Sequence, residues 1–151
     1  MRMFADLAAE RVSERVESER ELDAKRKAIE HAIKNDKFHV VFQPIVELAN
    51  DTPIGYESLS RFTSKPYRPP NLWFDDATSV GMGPELECLA IRSALRQVSS
   101  LPDCSYVSLN VSPETIFTED FSQTFSTGEQ LDHFVLEITE HAAVVDYEEL
   151  K

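Results

Sequence analysis

The segment Tyr106-Val107-Ser108-Leu109-Asn110-Val111-Ser112 constrains the fold of this chain most. Side chains alternate across a strand, so Val107, Leu109 and Val111 face one side and Ser108, Asn110 and Ser112 the other. Phe134 to Glu140 repeats the pattern, with Leu136 and Ile138 on one side and Val135, Glu137 and Thr139 on the other. Two strands with one apolar and one polar parity need a layer that covers the apolar side. The intervening chain supplies helices. Glu85 to Val98 places Leu86, Leu89, Ala90, Ile91, Leu95 and Val98 on a broad apolar face. Ser112-Pro113 is a cap followed by a first-turn proline, which opens another helical turn.

Upstream, Phe38 to Val46 and Ile54 to Phe62 read as two strands joined by the turn residues Asn50-Asp51-Thr52-Pro53. Thr63 to Asn71 contains three prolines and is expected to be irregular, with Trp73 and Phe74 as apolar anchors after it. Gly81-Met82-Gly83-Pro84 prepares the next helix start. Strand, irregular link, helix, strand, helix, strand is a β/α rhythm. A closed eight-stranded barrel of this kind takes about 250 residues; this chain has 151. Asp146 and Glu149 form a capping-box-like pair that opens one more helix near Lys151. The expectation is an α/β chain forming about half of a modified TIM-type (β/α)8 barrel.

Residues 5–36 read as one long helix, free of proline and glycine and rich in Ala, Glu, Arg and Lys. Glu21 with Lys25 and Asp23 with Lys27 are acid-first pairs four apart. Apolar positions are sparse before Leu22 and tighten through Ala28, Ile29, Ala32 and Ile33. A solvated lead-in that docks near its end is expected, as a linker helix over 1–36 before a barrel segment over 37–151. A signalling linker and a plain surface helix fit it equally well.

Charge narrows the function classes. Residues 1–39 carry nine acids and nine bases; residues 40–151 carry eighteen acids and six bases. A body of that sign is poorly suited to hold DNA or RNA by bulk electrostatics. A small anion there requires a metal or a few placed arginines. Cys88 and Cys104 make no disulfide scaffold, and no signal peptide or bilayer-spanning run is visible. The expected location is the cytoplasm.

Glu57, Asn110 and Glu137 each interrupt apolar strand sequence. If the apolar parity packs against helices, these three point into the barrel. Buried oxygen groups need partners, and a set of Glu, Asn and Glu suits Mg²⁺ or Mn²⁺ better than zinc. Taken singly, each is more simply a surface residue or an ion-pair partner. Arg61 shares the parity of Glu57 and Leu59; it suits a phosphate clamp or an ion pair with a neighbouring acid. Gln43 either reads a base edge or satisfies backbone.

Gln43-Pro44-Ile45-Val46, followed by Gly55-Tyr56-Glu57-Ser58-Leu59-Ser60-Arg61, resembles the start of the EAL domain family, the bacterial cyclic di-GMP phosphodiesterases. Serine replaces the usual alanine in the signature triplet. Gly83 to Glu87, Leu109 to Ser112 and Glu137-Ile138-Thr139-Glu140 resemble later family motifs, in the right order. The resemblance implies that Glu57, Asn110 and Glu137 ligate Mg²⁺ or Mn²⁺. It implies that Arg61 contacts a ligand phosphate, that Gln43 lines the nucleotide pocket, and that Leu59 packs near the dinucleotide. It also implies a barrel in which the triplet-bearing strand runs antiparallel, and hydrolysis of cyclic di-GMP to pGpG. The family's double-aspartate motif, catalytic lysine, further glutamate and late glutamine have no match here.

The chain is therefore expected to be inactive alone. An open half-barrel is expected to associate as a homodimer or domain-swapped oligomer, and an upstream sensory domain would feed the first helix. The alternative function is a non-catalytic module that binds cyclic di-GMP or a partner protein.

Overall fold

The structure, a computed structural model, describes residues 2–35, 37–102, 106–125 and 131–138, with side chains from residue 11 onward. The strand end beyond Ile138, the capping pair Asp146 and Glu149, and Cys104 lie outside the described residues.

Helix α1 runs Arg2–Lys34. Strands β1 (Phe38–Glu47) and β2 (Thr52–Phe62) form a hairpin. Helices α2 (Pro70–Ser79) and α3 (Gly83–Gln97) lead to β3 (Tyr106–Val111). Two short helices, α4 (Pro113–Ile116) and α5 (Glu119–Thr124), precede β4 (Phe134–Ile138). The sheet order is β1-β2-β3-β4. The β/α alternation and unclosed sheet are those of an incomplete barrel.

β1 pairs antiparallel with β2, whereas β2–β3 and β3–β4 are parallel. The expectation that the triplet strand is the reversed one needs correction. β2 shares its direction with β3 and β4, and β1 is the odd strand. The physical reason is the short connection between β1 and β2, with Asp51 at φ 55° in the turn; a hairpin reverses the chain, whereas parallel neighbours need a longer crossover. The β2–β3 approach is close at Gly55, where a Cβ would meet the Tyr106 ring and carbonyl oxygen at 2.9 Å. Any side chain at Gly55 would push the two strands apart.

The apolar parity of β3 packs as its alternation implies, whereas Leu136 and Ile138 of β4 stay 39% and 42% exposed. Val40 of β1 and Val107, Leu109 and Val111 of β3 are buried with Cys88, Ile91, Ala94 and Leu95 of α3 and Phe121 of α5. A second cluster joins Ile29 and Ala32 of α1 to Phe62, Trp73, Ala77, Val80, Met82 and Leu86. Phe62 stacks on Trp73 with ring centroids 4.7 Å apart. Burial pushes the Cys88 thiol up to about 11, with the Asp120 carboxylate adding to the shift. Such a thiol is inert at neutral pH.

Helix α2 departs from the sequence reading, which left Thr63 to Asn71 irregular and assigned no helix after it. Pro70 and Asn71 are its first residues. Proline is tolerated there because a first-turn N–H has no intrahelical acceptor. α2 ends in a Schellman arrangement: Met82 N bonds Ala77 O at 2.8 Å and Gly81 N bonds Thr78 O at 3.0 Å. Gly81 supplies the required positive φ of 73°.

The docking of α1 also differs in one detail. Lys27 bonds Asp23 at 2.7 Å, as the spacing suggests. Lys25 instead reaches across to Asp76 of α2 at 2.9 Å. Arg68 bonds the other Asp76 oxygen at 2.6 Å and lies over the Trp73 ring, 5.3 Å from its centroid. Burial alone would raise the Asp76 carboxyl; the hydrogen bonds and charges of Lys25 and Arg68 outweigh it and hold the group below its ordinary 3.8.

Two outcomes follow. Leu86→Ala, at a fully buried position, lowers the unfolding free energy by about 2–5 kcal/mol. Leu48→Ala, at a 92% exposed one, changes it by less than about 0.5 kcal/mol; urea titration reads both. For Asp76 the native value is lowered, so its contribution is complete above the ordinary carboxyl range. It is lost as the pH falls through the native value. Asp76→Asn should therefore flatten the loss of urea midpoint between about pH 7 and about pH 3. An unchanged acid slope would contradict this assignment.

Candidate functional site

The sheet register brings the sequence-selected polar residues onto one face. Gln43 of β1 is opposite Glu57 of β2. Glu57 is opposite Ser108 of β3, and Asn110 of β3 is opposite Glu137 of β4. Leu59 and Arg61 continue the Glu57 parity along β2. Cross-strand partners share a face, so all seven side chains lie on the sheet face opposite Val107, Leu109 and Val111.

Hydrogen bonds then link three strands. Asn110 Nδ2 donates to Glu57 Oε1 at 3.1 Å. Ser108 Oγ donates to Glu137 Oε1. Glu57 is half-buried, while Asn110, Glu137 and Gln43 are exposed. The sequence argument assumed that these groups suffer strong desolvation. In this four-stranded sheet their face is open, and hydrogen bonds satisfy them instead.

Three oxygen-bearing groups on three successive strands fit a hard divalent cation by their chemistry. Among the described residues no three His, Cys, Asp or Glu side chains stand together as a metal cluster. The middle donor is an amide, and Asn110 would need to turn its Oδ1 outward to ligate.

A cavity of about 340 Å³ lies between the C-terminal ends of β2 and β3 and the helices α2 and α3. Leu59, Arg61 and Asn110 line it, with Ser58 and Ser60 from β2, Leu109 and Val111 from β3, Asn71, Phe74, Asp75 and Thr78 from α2, and Glu87, Ala90 and Ile91 from α3. Gln43, Glu57 and Glu137 are not among its lining residues. It sits toward the C-terminal ends of β2 and β3, where β/α folds place their ligand sites. Arg61 Nη1 donates to the Ser60 carbonyl at 2.8 Å. Among the described residues no carboxylate pairs with Arg61, so its remaining N–H donors are available to an anion.

Sequence reasoning gave Glu87 no individual role. Its Oε2 accepts from Ser112 N at 2.8 Å and Ser112 Oγ at 2.9 Å. It ties the first turns of α3 to the end of β3, one residue past Val111. Ser112 in turn caps α4 by accepting from Thr115 N at 3.4 Å. The available signal was an acid four residues before Ile91 on the apolar face of α3.

The profile of the EAL domain matches residues 26–151. The chain belongs to the EAL domain family. Among solved structures, the EAL enzyme Bd1971, in its cAMP- and cyclic di-GMP-bound form, superposes with a TM-score of 0.67 at 25% identity. The match covers 82% of this chain and 38% of that one. PaMucR phosphodiesterase in its c-di-GMP complex gives 0.69 at 18% identity, over 83% of this chain and 56% of that one. The Xanthomonas citri FimX EAL domain in complex with c-di-GMP gives 0.62 at 19%, over 83% and 52%. The last two comparisons establish fold alone. This EAL chain spans roughly 40–55% of these relatives' lengths. No curated protein matches it. Among the described residues no helix is long and apolar enough to cross a membrane.

Ser112→Ala removes the cap of α4 and one of two ties to Glu87. A loss of about 1–2 kcal/mol is expected, read as a lower urea midpoint with unchanged steepness. A loss indistinguishable from that of an exposed serine would show that the Glu87 tie contributes nothing.

Proposed function

We propose that this chain is the nucleotide-facing half of an EAL domain that binds cyclic di-GMP and, in a complete barrel, hydrolyses it to pGpG. The observation that carries the reading is the alignment of Glu57, Asn110 and Glu137 on one face of three parallel strands, beside a cavity lined by Arg61 and Leu59. Family membership and structural likeness to proteins solved with cyclic di-GMP support it.

In this reading Arg61 meets a phosphate of the dinucleotide with its free N–H groups. Leu59 packs against the ligand, and Gln43 stands at the far edge of the face as a donor or acceptor for a base. Glu57, Asn110 and Glu137 hold Mg²⁺ or Mn²⁺. Held there, such an ion would supply activation of water and compensation of charge on the phosphoryl group. Ser108 fixes one Glu137 oxygen and leaves the other available. The groups that the family uses to complete the metal shell and orient water belong to motifs this sequence does not match. Turnover therefore requires those groups from the rest of a barrel, and this chain by itself binds without turning over. Among the described residues β1 and β4 are edge strands, which makes a homodimer or swapped oligomer the expected state. A cytoplasmic setting and an upstream sensory unit complete the proposal.

A binding-only role is the second reading, favoured by the exposure of Asn110 and Glu137.

Isothermal titration of cyclic di-GMP, with and without Mn²⁺, tests the proposal. Saturable binding is expected, with Arg61→Ala weakening it by about 1.5–3 kcal/mol, as loss of hydrogen bonds to a charged group does. Glu57→Gln should abolish the Mn²⁺ dependence while leaving metal-free binding within about two-fold. No binding by folded protein with either metal condition would sink the reading.

A further inference from the structure

Helix α2 has two working faces. One face carries Trp73, Asp76, Ala77 and Val80, which meet α1 and the core around Ile29 and Ala32. The other carries Asn71, Phe74, Asp75 and Thr78, which line the cavity. The two are joined by packed rings: Phe62 stacks on Trp73 and meets Phe74 edge-on, with centroids 6.1 Å apart.

The attachment of α1 to this helix is narrow. Residues 11–24 of α1 are exposed throughout. Contact begins at Lys25, whose ammonium bonds Asp76. Arg26 Nη2 donates to the Val80 carbonyl, the C-cap of α2, at 2.6 Å. Ile29 and Ala32 then bury fully. Trp73 is 3% exposed, and its indole N–H has no acceptor among the described residues. A buried N–H without a partner costs about 1–3 kcal/mol.

We propose that α2 is a shared wall coupling the docking of α1 to ligand affinity in the cavity, with Asp76 as the positioning residue that anchors it. The proposal rests on the cyclic di-GMP reading for its ligand, but the mechanical link is separable from it. Lys25 and Arg68 clamp the two Asp76 oxygens from opposite elements, and Arg68 also lies over Trp73. Undocking α1 releases one oxygen of Asp76 and the α2 C-cap together. The cavity wall then loses its backing on the side facing away from the ligand. By reciprocity, a ligand pressed against Asn71 and Phe74 favours docked α1. α1 is the two-state element that both ends bias.

The test uses the full chain. Lys25→Met combined with Arg26→Met removes both polar contacts of α1 with α2, leaves Ile29 and Ala32 in place, and does not touch the cavity. Arg15→Met breaks the exposed Arg15–Glu19 pair on the same helix, 3.1 Å long, and serves as control. Amide exchange over residues 26–33 reports docking, and calorimetry with cyclic di-GMP reports affinity. A ligand-free readout places Asn71→Cys in a Cys104→Ser background and follows thiol labelling at the cavity wall. The double variant should exchange faster, bind cyclic di-GMP about 5- to 20-fold more weakly and change the labelling rate by a similar factor, with the control unchanged.

Faster exchange with affinity and labelling within about two-fold of the parent would overturn the coupling. Unchanged exchange in the double variant would overturn the anchoring role of Asp76. If cyclic di-GMP binds neither protein, the functional reading fails. The labelling rate then decides the coupling alone, a change supporting it and no change refuting it.

Discussion

Everything on the polar face depends on the burial of the opposite parity of β3. Val107, Leu109 and Val111 are at most 1% exposed beneath α3. A strand cannot bury that set without turning Ser108 and Asn110 the other way. A slip of one residue would place the amide under Ile91 and Leu95, where an unpaired polar group is costly. The apolar core therefore sets the position of the candidate ligands more firmly than any contact among the ligands themselves. Parallel pairing then transmits the register of β3 in both directions: to Glu57 on one side through Ser108, and to Glu137 on the other through Asn110. Gly55 permits the close strand approach that this register needs.

The long helix obeys a different logic. Its exposed stretch from residue 11 carries local pairs such as Asp23–Lys27 and Arg15–Glu19, which contribute little individually. Its docked end rests on two apolar side chains and two charged contacts. Such an attachment is strong enough to persist and weak enough to be displaced by another contact. The Asp76 pair differs from the surface pairs because its carboxylate is nearly enclosed and doubly bonded. Removing one cation there leaves a partly buried charge less well satisfied. Release of α1 is thus felt by α2 more than by the rest of the body.

Legibility in the sequence followed the length of the periodic signal. β3 and β4 announce themselves by alternation, α3 by its apolar face and α1 by composition. The resemblance of the ordered motifs picked out Glu57, Asn110, Glu137, Arg61, Leu59 and Gln43, and the register places them on one face. Helix α2 was missed because ten residues starting with proline carry little periodicity, and only Trp73 and Phe74 stood out in it, as isolated apolar anchors. The odd strand was assigned to β2 rather than β1 because direction is a property of a pair. The hairpin turn shows that β1 and β2 oppose each other; only the later parallel pairings show which of them matches the rest. Lys25 was assigned to Glu21 because helix spacing sees neighbours on the same helix and is blind to Asp76, 51 positions away. Glu87 stayed unassigned for the same reason: its partner Ser112 lies on another element.

The arrangement of the donors also separates binding from chemistry. Glu57 and Glu137 stand on β2 and β4, with β3 between them and a two-residue offset along the strands, so they are roughly 11–12 Å apart at the backbone. Ser108, which donates to Glu137, and Asn110 lie between them, and Asn110 gives its N–H to Glu57. A cation entering this face must displace that hydrogen bond and draw both glutamates inward. An oxyanion at Arg61 needs less, since the guanidinium has spare donors already facing the cavity. On the proposed reading, phosphate capture is therefore the better prepared of the two events. Metal loading is the one that gains most from the strands of a complete barrel, which would restrict the glutamates and bring further oxygen donors to the same face.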